Sequence, residues 1–159
     1  MVTPIRPVEF ILGKCAPFAV IGFVNVGMVA AVGLFWFDIP LRGSFSLLLL
    51  GTALFLLSTL GIGLFISTVS TTQQQAMMTT FFFFFPAMLF CGFIFPIPNM
   101  PEFFQWLSLL DPLRYILVII RGVFLKGIGL DVLWPQMAAL LAIGTAVMVF
   151  AVTRFHKTL

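Results

Sequence analysis

The residues of this chain that could do chemistry are few and scattered. Eight Lys or Arg, five Asp or Glu, one His and two Cys are spread over 159 residues. A metal site needs three or four ligands at close spacing, and His156, Cys15 and Cys91 provide no such cluster. A disulfide between Cys15 and Cys91 would have to cross most of a bilayer given the spans below, so both read as small apolar side chains. There is no GxxxxGK[ST] phosphate loop to hold ATP by that route. Proton relays and intramembrane hydrolysis require Asp, Glu, His or Lys within the membrane, and the long apolar runs carry none. The expectation is a non-enzyme with no catalytic residue, metal or cofactor, whose energy source is a partner.

The elements that carry these residues follow from composition. The chain is 62% apolar and 8% charged, against about half and about a quarter in soluble domains. So few charges cannot cover a soluble surface, which makes lipid the solvent. The net charge of +3 is distributed singly, with no basic patch, which sets nucleic acid aside. Crossing the hydrocarbon core takes about 20 apolar residues, and charge-free runs occupy 15–37, 43–101 and 132–153. Polar residues at 67–75 break the middle run into two. The predicted fold is all-α and polytopic, with spans at 15–37, 44–66, 76–95 and 132–153.

Within the spans, Asn25, Ser58, Thr59, Thr79 and Thr80 are expected to make interhelical hydrogen bonds. Gly63 with Ser67, and Ala138, Ala142 and Ala146, stand four apart and are expected to mark faces of close helix approach. Phe81 to Phe85 precede Pro86, which removes a backbone bond and kinks a helix. Five consecutive residues cover every helical face, and Phe81, Phe82, Phe84 and Phe85 are candidates for a greasy substrate path.

Pro96, Pro98 and Pro101 end the third span, and residues 102–110 read as a short amphipathic helix with an interfacial Trp106. Asp111 as N-cap and Pro112 at the first position start a new helix, expected to run through Lys126 and stop at Gly127. It is too short to cross, and Arg114 and Arg121, seven apart, share one face. Residues 96–130 are therefore expected to form a re-entrant hairpin on the outer side. At the other edge, prolines at 4 and 7 prevent a helix before Pro7, and Arg6 and Glu9 lie on a short exposed turn, a solvated linker or a cytoplasmic contact surface. Basic residues tie across the two sides, Arg6, Lys14, Arg154 and Lys157 against Arg42, Arg114, Arg121 and Lys126. The basic tail after the last span decides for both termini in the cytoplasm. The first run lacks a small-residue cleavage pattern and is expected to remain as a span.

Four motifs occur in order over nearly the whole chain: TPIRPVEFILGK, GFIFPIPNMP, LDPLRYILVIIRGVFLKG and LWPQ. Together they resemble the carboxy-terminal part of the permease subunits of type-2 ABC exporters, with Asp111 where that pattern more often has Asn. The resemblance implies that Thr3, Pro4, Arg6, Pro7 and Glu9 adjoin a coupling helix that contacts the ATPase subunit. It also implies that Glu102, Asp111, Arg114, Tyr115 and Arg121 belong to re-entrant helices at an outer gate. The implied partners are a separate ABC ATPase subunit and a second permease subunit, in a homodimer or heterodimer, within the bacterial cytoplasmic membrane. Such permeases usually have six spans, so the chain is expected to be the carboxy-terminal portion of a longer one. The rival expectation, from another class, is a non-transporting anchor or assembly module or a truncated inactive permease.

Overall fold

Prolines and glycines divide the chain into helices, and packing then selects which helices bury their faces. The computed structural model describes residues 6–155, and every regular element among them is helical. Helix α1 (Pro7–Phe35) begins on a proline, whose missing N–H is no loss in a first turn. Glu9 Oε2 accepts the Arg6 amide at 3.4 Å. The segment read as an exposed turn is thus helical from Pro7 onward and continuous with the first span, because the capping at its start is complete before the apolar run begins. Helix α2 (Phe45–Val69) follows a loop in which Asp38 adopts φ 49°. Helix α3 (Gln73–Phe90) is capped by Thr72, whose Oγ1 accepts the Gln75 amide. After a 3-10 turn at Ile97–Asn99 come α4 (Glu102–Ser108) and α5 (Pro112–Arg121). The chain continues from α5 into a π-helical turn, Gly122–Lys126, closed by Gly127 at φ 63°, and then forms α6 (Leu130–Phe155).

Three helices among the described residues are long and apolar enough to cross a membrane: α1, α2 and α6. Four spans were expected. The difference lies in α3, whose first turn is Gln73, Gln74 and Gln75 and which ends at Phe90, shortly before Gly92 turns the chain at φ 84°. Its 18 residues give a rod of about 27 Å.

The central seam joins α2 and α6. A Cβ on Gly61 would meet the Met148 amide nitrogen at 3.2 Å, and one on Gly144 would meet Ser58 Oγ at 2.9 Å, so neither position has room for a side chain. Ser58 Oγ donates across the seam to Leu140 O at 3.2 Å and within its own helix to Leu54 O at 3.1 Å. The other polar residues expected to bond between helices behave differently. Thr59 donates to Phe55 O and Leu56 O, and Thr80 to Ala76 O, each in its own helix; Asn25 and Thr79 are exposed. A hydroxyl one turn from a carbonyl satisfies itself without a neighbour. The small-residue faces, expected to pack within the chain or between subunits, are exposed on this single chain. Helix α6 buries Leu133, Met137, Leu140, Gly144 and Ala151, which turns Ala138, Ala142 and Ala146 outward. Gly63 and Ser67 are likewise exposed.

Helix α5 packs inside the angle between α2 and α6. Its Ile116 and Ile119 are buried, as is Val123 of the π turn; Gly51 of α2 faces Ile119, and Gly122 faces Leu133 of α6. The Gly43 amide donates to Val123 O at 2.8 Å, fastening the loop before α2 to the π turn. At its other end, α5 begins beside a cavity that it shares with Thr59 and Ile62 of α2. Between Phe45 and Thr59 the chain advances about 21 Å along α2, so the α4–α5 hairpin carries its tip well into the length of the bundle.

Candidate functional site

The tip of the hairpin is built by hydrogen bonds that run back through α4. Ser108 is fully buried, donates to Gln105 O at 2.7 Å and receives Arg114 Nη1 at 2.6 Å. Arg114 Nη1 also reaches Gln105 O at 3.4 Å, and Gln105 Nε2 donates to Met100 O at 2.8 Å. Tyr115 Oη donates to Leu109 O at 2.7 Å, bracing the turn between the helices. These bonds use the guanidinium's Nη1 to hold α5 against α4.

Asp111 caps α5, its Oδ1 accepting the Leu113 amide at 3.0 Å, which Pro112 at N1 makes easy because the helix start is already shaped. The residue is 8% exposed, and its Oδ2 is buried without a hydrogen-bond partner. Burial pushes the carboxyl up from 3.8 to about 6, while the Leu113 amide and the Arg114 charge pull it back less strongly. The hairpin thus places a poorly matched carboxyl outside the three spans but deep against α2.

Two cavities flank this tip. One, a half-open cleft of about 240 Å³, lies between α2, α3 and the start of α5, with Thr59, Ile62, Thr80, Phe83, Phe84 and Asp111 in its lining. The other, of about 440 Å³, lies along α4 and is lined by Glu102, Gln105, Trp106, Leu109 and Arg114. Of the expected gate residues, Glu102 and Arg114 therefore meet at one cavity and Asp111 faces another, while Tyr115 braces the turn and Arg121 is exposed at the far end of α5. Among the aromatic candidates, Phe84 lines the cavity with Asp111. Phe81 and Phe82 line a separate surface recess with Met77, Met78 and Thr79, and Phe85 stacks on Phe81 with centroids 5.9 Å apart. Arg6 and Glu9 are exposed at the start of α1, where Pro7 is the first helical residue; Thr3 and Pro4 lie outside the described residues.

Thr59 and Thr80 were read first as interhelical hydrogen-bonding residues rather than as cavity lining, and Phe83 was not among the aromatic candidates for a substrate path. The signal was available: 59, 62, 63 and 66 on α2, and 80, 83, 84 and 87 on α3, repeat the i, i+3, i+4, i+7 spacing of a single helical face.

Residues 1–125, from the amino terminus through the hairpin, match the ABC-2 type transporter family. The chain belongs to that family. This ABC-2 type chain is 32% identical over 143 residues to the probable multidrug ABC transporter permease YbhR of Escherichia coli K12, covering 90% of this chain and 39% of YbhR. It is 30% identical over 164 residues to the inner membrane transport permease YhhJ of the same organism, covering 100% and 43% respectively. With the probable multidrug ABC transporter permease YbhS it shares 34% identity over 126 residues, 79% of this chain and 33% of YbhS. The chain thus spans about two fifths or less of the length of these curated relatives. No solved structure matches it. The ABC-2 family and the apolar helices identify a multi-pass membrane protein of the transporter permease type.

Proposed function

We propose that this chain is the membrane permease component of an ATP-driven exporter, forming part of the translocation path and driven by a separate ATPase subunit. The observation that carries this reading is the family match over residues 1–125, which takes in α1 to α5 and the hairpin tip. Two such permease subunits pair around a central path in the bacterial inner membrane, and ATP binding on the partner switches access from inside to outside. No residue of this chain is catalytic in that cycle.

In this reading α3 is the fourth crossing. Its length nearly equals the hydrocarbon thickness of about 30 Å, and its exposed Phe81 to Phe85 suit lipid or a partner helix. Four crossings put both termini in the cytoplasm and let the α4–α5 hairpin enter from the outer side. Thr3, Pro4, Arg6, Pro7 and Glu9 then face the ATPase, and Glu102, Asp111, Arg114, Tyr115 and Arg121 form the outer gate. The test reverses the two exposed charges at the start of α1, as Arg6→Glu with Glu9→Arg, in the chain coexpressed with an ATPase subunit from the same genome. Copurification of the ATPase should fall at least fivefold with membrane insertion unchanged. Undiminished copurification and undiminished stimulation of ATP hydrolysis would count against the contact.

A further inference from the structure

We infer that the cavity along α4 binds the headgroup of a zwitterionic phospholipid with a primary ammonium, its phosphate toward Arg114 and its ammonium toward Glu102. The placement of this site in the outer leaflet rests on the permease reading above; as a binding site it stands on its own geometry. The cavity holds about 440 Å³ and is lined by Glu102, Gln105, Trp106, Leu109 and Arg114, within the roughly 300–1,000 Å³ of pockets that take small organic ligands. One base and one acid line it, and among the described residues they form no ion pair with each other.

The polar groups of this lining are open. Arg114 holds the hairpin through Nη1 alone, which donates to Ser108 Oγ and Gln105 O. Its Nε and Nη2 have no partner among the described residues and are not sealed from solvent, which leaves part of the guanidinium fork for a phosphate. Asp111 feels the Arg114 charge but takes no hydrogen bond from it: Oδ1 accepts the Leu113 amide, and Oδ2 is buried without a partner. The Glu102 carboxylate is exposed and unpaired among the described residues. Gln105 donates through Nε2 to Met100 O and keeps Oε1 as an acceptor. An ammonium, with three donors and no acceptor, complements these oxygens.

The balance of charge selects a ligand that carries both signs. A lone anion at Arg114 is opposed by the carboxylates of Glu102 and Asp111, and a lone cation at Glu102 is opposed by Arg114. A phosphodiester joined to an ammonium meets each charge with its opposite and brings in no net charge. An apolar stripe then decides for a lipid over a water-soluble zwitterion. Phe103, Trp106 and Leu110 stand three and four residues apart on one face of α4 and the turn that follows, and each is more than 70% exposed. Trp106 belongs both to this stripe and to the cavity lining. The polar cavity therefore opens beside a surface suited to acyl chains, with an indole at the boundary where such rings settle.

Native mass spectrometry of the full chain, released from detergent with equal amounts of three lipids that share the same oleoyl chains, tests the site. The lipids are zwitterionic dioleoyl phosphatidylethanolamine, anionic dioleoyl phosphatidylglycerol and cationic dioleoyl trimethylammonium propane. The first should be retained about fivefold more than either of the others. Glu102→Lys, at an exposed position outside the hydrogen bonds of the hairpin, should transfer the preference to phosphatidylglycerol, a gain that misfolding does not produce. Leu110→Gln should lower retention of all three and leave their ratio unchanged. Equal retention of the three by the unaltered chain, or an unchanged preference in Glu102→Lys, would overturn the site. Undiminished retention in Leu110→Gln, or displacement of the bound lipid by equimolar glycerophosphoethanolamine, the same headgroup without chains, would overturn a lipid as its occupant. ATPase copurification reads the exporter assignment separately: a partner without headgroup preference refutes the site alone, and headgroup preference without a partner refutes the exporter alone.

Discussion

At the scale of single residues, Asp111 serves two purposes that pull in opposite directions. As an N-cap it stabilises α5 by about 1 kcal/mol; as a buried charge with one orphan oxygen it destabilises the hairpin. The balance depends on pH. The folded carboxyl, near 6, holds its proton more tightly than the unfolded one at 3.8, so stability is greatest below the unfolded value and is lost as pH rises through about 6. Thermal unfolding of the chain without ligand should therefore show a midpoint that falls between pH 4 and pH 7, and Asp111→Asn should flatten that part of the profile. Parallel profiles for the two proteins would mean that the carboxyl is not buried as described. The cap itself was legible in the sequence, because Asp111, Pro112 and the Leu113 amide are consecutive. The orphan oxygen was not, because Asp111 is buried only once the fold brings α2 and α3 beside the start of α5.

At the scale of elements, stability concentrates in the α2–α6 seam. A side chain at Gly144 has no room beside Ser58 and Leu57, so Gly144→Leu forces the helices apart, a change that costs about 1–3 kcal/mol or more. Ser58→Ala removes one interhelical bond, for which measured values in membranes average about 0.6 kcal/mol, and leaves contact intact. In detergent, Gly144→Leu should lower the melting temperature far more than Ser58→Ala; equal effects would place the strength of the seam in its hydrogen bond. At the amino-terminal end of α2, Gly127→Ala meets a left-handed backbone at φ 63° and the Arg42 carbonyl at 2.9 Å, which should free the loop before α2. Faster hydrogen exchange of the Gly43 amide, now bonded to Val123 O, is the measurement. The stop at Gly127 and the start at Pro112 were readable because each is encoded within a turn of chain. The alanine stripe of α6 is exposed on the single chain, because four-residue spacing identifies a face but not which neighbour covers it, and within the chain Leu133, Met137 and Leu140 take the buried side.

At the scale of the whole molecule, the chain is slender for its mass. Its accessible surface is 10954 Å², against about 7900 Å² expected of a soluble monomer of 17.6 kDa. Much of the excess is apolar side chain on α1 and α3, which suits a lipid surround. The count of crossings rests on α3, and labelling decides it. In a chain with Cys15 and Cys91 replaced by alanine, Asn99→Cys should react with an impermeant maleimide added to intact cells and Thr71→Cys should not. Labelling of both from one side would remove α3 as a span and move the hairpin to the other face. Helices α1, α2 and α6 were legible from charge-free runs; the status of α3 was not, since three glutamines and five phenylalanines average to a value that fits neither a plain loop nor a plain span.

The bond between Ser58 and Leu140 also has a history in time. Its partners are 82 residues apart in the chain, so at a synthesis rate of about 5–20 residues per second α2 stands in the bilayer for roughly 4–16 seconds before the carbonyl it will meet has been made. A polar side chain left bare in lipid for that long would favour wrong neighbours. Ser58 is not left bare, because its hydroxyl already donates to Leu54 O within its own helix. The seam can therefore form late by sharing a hydrogen that was never unsatisfied, and the order of emergence of α2 and α6 exacts no penalty on the way.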